Sequence, residues 1–163
     1  MPKDSAPTRS AILAAALQTL KRHGLEGFAI EAVARRARVA KGLVLYHFKA
    51  RRRLLALCAQ QITAERAQRL AKAVEDSMGA AAVDVCWEEL LRQQEDGLAR
   101  AWLALCGAGV TDRASKNRPF EQVARQLLLD GCTAALAGGV PERELKEAFD
   151  AVWLALLDVT EES

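Results

Sequence analysis

Eight cationic residues, Arg35, Arg36, Arg38, Lys41, Lys49, Arg51, Arg52 and Arg53, crowd into nineteen positions, and no acidic residue stands between Glu31 and Glu65. Guanidinium and ammonium groups at this density do one kind of chemistry well. They hold phosphate oxygens through charge-assisted hydrogen bonds and displace the counterions of a polyanion. Tyr46 and His47, interleaved among them, add donors that can reach a phosphate oxygen. Covalent chemistry is poorly provided for. The only histidines are His23 and His47, both in the N-terminal third, so no Ser-His-Asp set, metal site or phosphate loop can be assembled. Cys58, Cys86, Cys106 and Cys132 are widely spaced, form no Cys-x-x-Cys pair and have apolar neighbours. They read as buried, reduced thiols and not as zinc ligands. No enzyme, metal or cofactor is expected.

The cluster gains weight because the charge of the chain is divided. Residues 1–60 hold 12 basic and 3 acidic residues, net +9; residues 61–163 hold 11 and 18, net −7, and the overall +2 conceals both. A split of this kind suits docking of the N-terminal part on nucleic acid or an anionic surface. The composition is 51% hydrophobic and 5% aromatic, with Ala and Leu dominant, which favours helix over strand and allows a substantial core. The N-terminus, Met-Pro-Lys-Asp-Ser, lacks the apolar run of a signal peptide, and no stretch nears the roughly 20 apolar residues of a membrane span. A cytoplasmic protein is expected.

Cations presented to DNA need a rigid support, and hydrophobic periodicity outlines one. Thr8 is placed as the N-cap of a first helix carrying Ile12, Leu13, Ala16, Leu17 and Leu20 at helical spacing and ending at Gly24. Leu25 and Phe28 follow as plugs for a small core. A second helix spans about Ile30 to Ala37, with Ile30, Val33, Ala34 and Ala37 on one face, and a third about Ala40 to His47, with Val44 and Phe48 inward. This is the spacing of a helix-turn-helix, in which the second helix of the pair enters the major groove. Ala40, Lys41, Leu43, Tyr46 and His47 are its outward candidates; Thr8, Arg38, Lys49 and Arg51 complete the candidate DNA contacts. By pattern alone, the same cluster also suits a protein-binding module.

The segment Val39-Ala-Lys-Gly-Leu-Val-Leu-Tyr-His-Phe48, followed by Arg51-Arg-Arg-Leu-Leu55, resembles the signature of the TetR family of transcriptional regulators. Ala-Ala-Leu17, Gly24, Phe28 and Ile30-Glu-Ala-Val-Ala34 match that family's first two helices, so the likeness covers about residues 8–60. It implies a dimeric DNA-binding repressor whose C-terminal bundle binds a small molecule. Four positions depart from the pattern. Ala29 and Ala40 replace the usual capping Thr and Ser, Arg38 replaces the usual turn Gly, and Leu45 stands where Tyr is usual, with Tyr46 beside it. A lost capping hydroxyl costs about 0.5–2 kcal/mol, and a left-handed non-Gly residue about 1–2 kcal/mol.

Downstream, a fourth helix begins near Arg51 and reaches about Asp76, its polar second half (Glu65, Arg66, Gln68, Arg69, Lys72, Glu75) reading as a solvated connector. Gly79 marks a break. One helix is expected from about Val83 to Leu105, then a loop over Asp112 to Pro119, then helices over about Phe120 to Leu136 and Glu142 to Val159. The fold is therefore all-α, with a helix-turn-helix head (1–50) and a helical bundle (51–163). The last two helices are apolar over more than one stripe, through Phe120, Val123, Leu127, Leu128, Gly131, Phe149, Val152, Leu156 and Leu157. That width fits burial within the chain and again against a second copy. Leu127, Leu128, Gly131, Phe149, Val152 and Leu156 are the candidate dimer residues. A homodimer would set two recognition helices about 34–36 Å apart on a near-palindromic double-stranded DNA operator. Trp87, Leu90, Gln94, Trp102, Cys106 and Trp153 are candidates to line a pocket for a small apolar ligand, with Gln94 fixing its orientation. The competing reading is a dimeric all-α adaptor whose degenerate helix-turn-helix has no operator.

Overall fold

The computed structural model describes residues 5–77, 80–110 and 120–161, with the side chains of 5, 80, 120–125 and 155–161 left aside. Its elements are α1 (Ser5–His23), α2 (Ile30–Ala37), α3 (Lys41–Phe48), α4 (Arg51–Val74), α5 (Ala80–Glu95), α6 (Leu98–Gly107), α7 (Phe120–Ala137) and α8 (Glu142–Glu161). No strand occurs among the described residues. The fold is all-α, as the periodicity predicts. Two compact units are present, one of Met1–Glu65 with Arg100–Arg113, the other of Arg66–Ala99 with Ala114–Ser163.

In the first unit the apolar stripes of α1, α2 and α3 converge. Ile12, Ala16, Leu20, Phe28, Val33, Val44 and Phe48 are buried, joined from α4 by Leu54, Cys58 and Ile62. Each large side chain here contributes roughly 1.5–3 kcal/mol of burial. The basic last turn of α1 (Lys21, Arg22, His23) complements its dipole. Arg100 finishes that end by donating from Nη1 to the carbonyls of Lys21 (3.3 Å) and Arg22 (3.0 Å), which have no partner within α1.

In the second unit Trp87, Phe149 and Trp153 stack at 5.3 Å centroid separations, with Val83, Cys86, Leu90, Leu129 and Cys132 packed around them. Burial pushes the Cys58 thiol up to about 12 and raises that of Cys132, so these sulfurs behave as small hydrophobes.

Four expectations are corrected. Thr8 lies within the first turns of α1, because the helix already runs from Ser5. The single helix expected from Val83 to Leu105 is two. Gly97 adopts φ 80°, which side chains resist, and Asp96 Oδ1 accepts the Leu98 N–H at 2.9 Å to start α6. The second half of α4 is a solvated connector only in part: Gln68, Lys72 and Glu75 are exposed, but Arg66 is buried. Arg66, 4% exposed, donates from Nε to Gln93 Oε1 and from Nη2 to Thr133 Oγ1, both at 3.1 Å, with Asp130 at 3.6 Å. Gln93 passes the chain on to Glu89 (3.0 Å), which Arg69 holds at 2.6 Å. The fourth correction concerns Phe149, taken up with the dimer residues below. The break at Gly79, the loop over Asp112 to Pro119 and the side chain of Leu156 lie outside the described residues.

Candidate nucleic-acid interface

The turn between α2 and α3 is built on a strained residue. Arg38 has φ 56° and ψ 42°, the left-handed conformation, while its N–H bonds to Arg35 O (3.2 Å) and the next N–H, of Val39, reaches back to Ala34 O (3.0 Å). This paired closure fixes the angle at which α3 leaves α2. Lys49, just past α3, is the second non-glycine residue with positive φ (63°) among the described residues. Arg38→Gly should relieve about 1–2 kcal/mol of strain and return part of it through the freer unfolded chain. The expected net is a gain of about 1 kcal/mol, read as a higher urea midpoint. If Arg38 meets phosphate, the same variant lowers the salt slope of DNA binding by about 1.

The two helices present their starts unadorned. Ala29 and Ala40 are extended N-caps, and neither has a side chain to accept the first-turn N–H groups. The Glu31 N–H is taken by its own carboxyl and the Leu43 N–H by Ala40 O at 2.9 Å, so what the missing caps leave at each helix start is space for an anion, the usual role of a helix N-terminus toward phosphate. Inward, Val44 and Phe48 of α3 are fully buried, as is Val33 of α2, with Ile30 and Ala34 nearly so. Outward, Arg38, Ala40, Lys41, Tyr46, Lys49 and Arg51 are exposed, while Thr8, Leu43 and His47 are half-buried. Leu45, at the position that departs from the TetR pattern, is also exposed.

Several of these cations are held in place. Arg51 lies 5.5 Å over the Phe28 ring and donates from Nε to Phe28 O at 3.2 Å, leaving its terminal nitrogens for a phosphate. Lys49 Nζ sits 5.0 Å over Tyr46, whose ring meets His47 edge-on at 5.4 Å. Two contributors escaped sequence reasoning. Arg9 on α1 lies 5.2 Å over the Phe48 ring, next to the end of α3. Glu31, in the first turn of α2, forms an ion pair with Lys41 of α3. The Lys41 hydrogen bond, then the Glu31 backbone N–H, then the Lys41 charge hold the Glu31 carboxyl below the usual carboxylate value. Neither partner is adjacent in sequence, so only the fold reveals them.

The other candidate sets are dispersed. Trp87, Leu90 and Trp153 share the buried core of the second unit, and Gln94 of α5 is only half-buried; the fully buried amide is its neighbour Gln93. Trp102 and Cys106 belong to the first unit. Of the dimer candidates, Leu127 is 65% and Val152 47% exposed, Gly131 is exposed and Leu128 half-buried. Phe149 is corrected to a core residue, since its ring has no exposed surface and packs between Trp87 and Trp153. No helix among the described residues is long and apolar enough to cross a membrane, and none of their His, Cys, Asp and Glu side chains cluster as metal ligands.

Residues 12–58 match the family model "Bacterial regulatory proteins, tetR family". The fold is similar to that of the multidrug binding protein EbrR complexed with imidazole, with TM-score 0.67 and 20% identity over 91% of this chain and 90% of that one. It is also similar to a transcriptional regulator from Rhodococcus sp. Rha1, with TM-score 0.68 and 19% identity over 92% and 96%. A third likeness is to the TetR-like transcriptional regulator LfrR from Mycobacterium smegmatis in complex with proflavine, with TM-score 0.56 and 22% identity over 92% and 95%. No curated protein matches the sequence.

Proposed function

We propose that this chain, which carries the tetR-family segment at residues 12–58 on the corresponding all-α fold, is a sequence-specific DNA-binding transcriptional regulator. The observation that carries this reading is the pair of N-termini of α2 and α3 without capping side chains, beside the exposed cations Arg38, Lys41, Lys49 and Arg51 in a stretch of sequence with no acid from residue 32 to 64. Phosphates would dock at the helix N-termini and on Lys41, Lys49 and Arg51, while Leu43, Tyr46 and His47 of α3 approach the base edges. The protein acts in the cytoplasm as a homodimer on a near-palindromic operator, with residues 1–50 reading DNA and residues 51–163 serving dimerisation and ligand binding. It is a repressor released by a small apolar ligand. Support for that ligand comes from the aromatic core of Trp87, Phe149 and Trp153 and from the imidazole and proflavine held by two proteins of similar fold. Such a ligand acts only by favouring the dimer whose heads are wrongly spaced for DNA.

The test is binding of the purified protein to its own upstream DNA and to random duplex at two salt concentrations. Operator affinity should fall steeply with salt yet stay above that of random DNA. Absence of sequence-selective binding at low salt would leave the adaptor reading in its place. Lys41→Ala should weaken operator and random DNA alike and lower the salt slope by about 0.9. Glu31→Gln should act in the opposite direction, because it frees Lys41 and removes a carboxylate from the DNA-facing surface. Unchanged affinity in both variants would remove Lys41 from the phosphate contacts.

A further inference from the structure

A groove of about 370 Å3 runs between the end of α1 and one face of α2, lined by Thr19, His23, Gly27, Ala32, Arg35 and Arg36. Helical spacing builds both walls. Thr19 and His23 are one turn apart on α1, and Ala32, Arg35 and Arg36 share the face of α2 turned away from its buried Ile30, Val33 and Ala34. Gly27 closes the end, where a Cβ would come within 2.4 Å of the His23 Cβ. Thr19 turns its hydroxyl into its own helix, donating to Ala15 O at 2.8 Å.

Among the described residues, no carboxylate lines this groove. Glu26, the acid of the adjoining loop, is exposed and is not among the lining residues. Glu31, placed one turn before Arg35 where it could form an i,i+4 pair, is engaged by Lys41 instead. Among the described residues, no ion pair or hydrogen bond engages the side chain of Arg35 or Arg36. Their position in the last turn of α2 complements its dipole. That accounts for one cation at the helix end, but not for two guanidiniums and an imidazole sharing one concave surface.

We propose that this groove binds the phosphate group of a small phosphorylated molecule. Arginine forks match phosphate oxygens two at a time, and a phosphate monoester carries about −1.5 to −2 charge at neutral pH, balancing the two arginines. The volume lies near the low end of the roughly 300–1,000 Å3 range of small-molecule sites, so it fits a phosphate on a glycerol-sized or sugar-sized body. The site is separate from the outward face of α3, and an anion bound there would reduce the positive field that draws the head to DNA.

The experiment is titration of the full 15N-labelled chain with inorganic phosphate and with glycerol 3-phosphate, at ionic strength held constant with sodium chloride. The Gly27 and Ala32 amides and the Arg35 and Arg36 Nε–H signals should move and saturate. Arg35→Gln with Arg36→Gln should weaken binding by about tenfold or more, whereas Lys72→Gln with Arg143→Gln, an equal charge change on exposed cations of the other unit, should leave it within about twofold. If the glutamine pair does not fold, Arg35→Lys with Arg36→Lys keeps the charge, loses the forks and should still weaken binding. Equal weakening by the two glutamine pairs, or shifts that never saturate, would overturn the proposal. So would groove signals that respond to duplex DNA but to neither phosphate probe.

Discussion

Replacing Arg66 with alanine is expected to destabilise the second unit by about 3–5 kcal/mol, the range for breaking a buried ionic network by removing one partner. The guanidinium is 4% exposed and joins three helices: α4 through its own backbone, α5 through Gln93, and α7 through Thr133 and Asp130. Its loss leaves the fully buried Gln93 Oε1 without its donor and removes the cation beside Asp130, while Thr133 keeps its bond to Leu129 O and Asp130 its bond from Gln126. Trp87 and Trp153 lie in the same unit's core, so urea unfolding followed by tryptophan emission reads the change. The companion variant separates packing from polarity. Arg66→Met combined with Gln93→Leu and Thr133→Val removes the polar groups as a set. Asp130 then keeps the hydrogen bond from Gln126 at 2.8 Å, and Glu89 keeps Arg69. At least half of the lost stability should return, because apolar replacement of a buried network is often neutral or favourable. A single-variant loss below about 1 kcal/mol, the range of surface pairs, would show that Arg66 is effectively solvated.

That network also marks where sequence reasoning stopped. The bounds of α2 were legible because its buried face repeats at Ile30, Val33 and Ala34, and because the chain beyond Ala37 can close only through a left-handed residue. Arg38 is marked as the turn position by the family resemblance, where Gly is usual, and its left-handed φ of 56° makes it the strained residue there. Local periodicity fails when a helix ends without losing its stripe. Leu90, Leu98, Trp102 and Leu105 continue at helical spacing across Gly97, so α5 and α6 looked like one helix. It fails again when a charged side chain finds its partners far along the chain. Arg66 bonds residues 27 and 67 positions away, and in sequence it is indistinguishable from the half-exposed Arg69 one turn later.

The head shows the same division between what is local and what is not. The missing hydroxyls at Ala29 and Ala40 are visible as letters, and the structure gives them a meaning: two helix starts without a capping side chain, with the Glu31 N–H taken by its own carboxyl. The cap loss weakens the free head, by about 0.5–2 kcal/mol for each helix, but it leaves the N-cap position itself open to a phosphate. What no local reading supplied is that Glu31 reaches Lys41 across the turn. The positive surface is thus partly neutralised at the residue most expected to touch DNA.

Introducing aspartate at both Leu127 and Val152 is expected to turn the proposed dimer into a monomer and to lower affinity for the proposed operator by about 100-fold or more. Both side chains stand out from the isolated chain, at 65% and 47% exposure, and Leu154 adds a third exposed apolar group on α8. A Cβ at Gly131 would meet nothing within 4 Å, so a second helix could approach α7 closely there. Because these side chains contribute little to their own chain's core, two aspartates should change its intrinsic stability by only about 0.5 kcal/mol each. In a dimer interface the same charges would be desolvated and face their symmetry mates, which is strongly unfavourable. DNA binding then loses the linkage of two heads, which multiplies affinity by about 10²–10⁴ through effective concentration alone. Sedimentation measures the assembly and fluorescence anisotropy on operator DNA measures the affinity, with circular dichroism verifying that the variant is folded. A wild-type chain that sediments as a monomer, or a double variant that stays dimeric, would remove α7 and α8 as the dimer surface. A monomer that still held its operator at full affinity would separate DNA reading from dimerisation altogether.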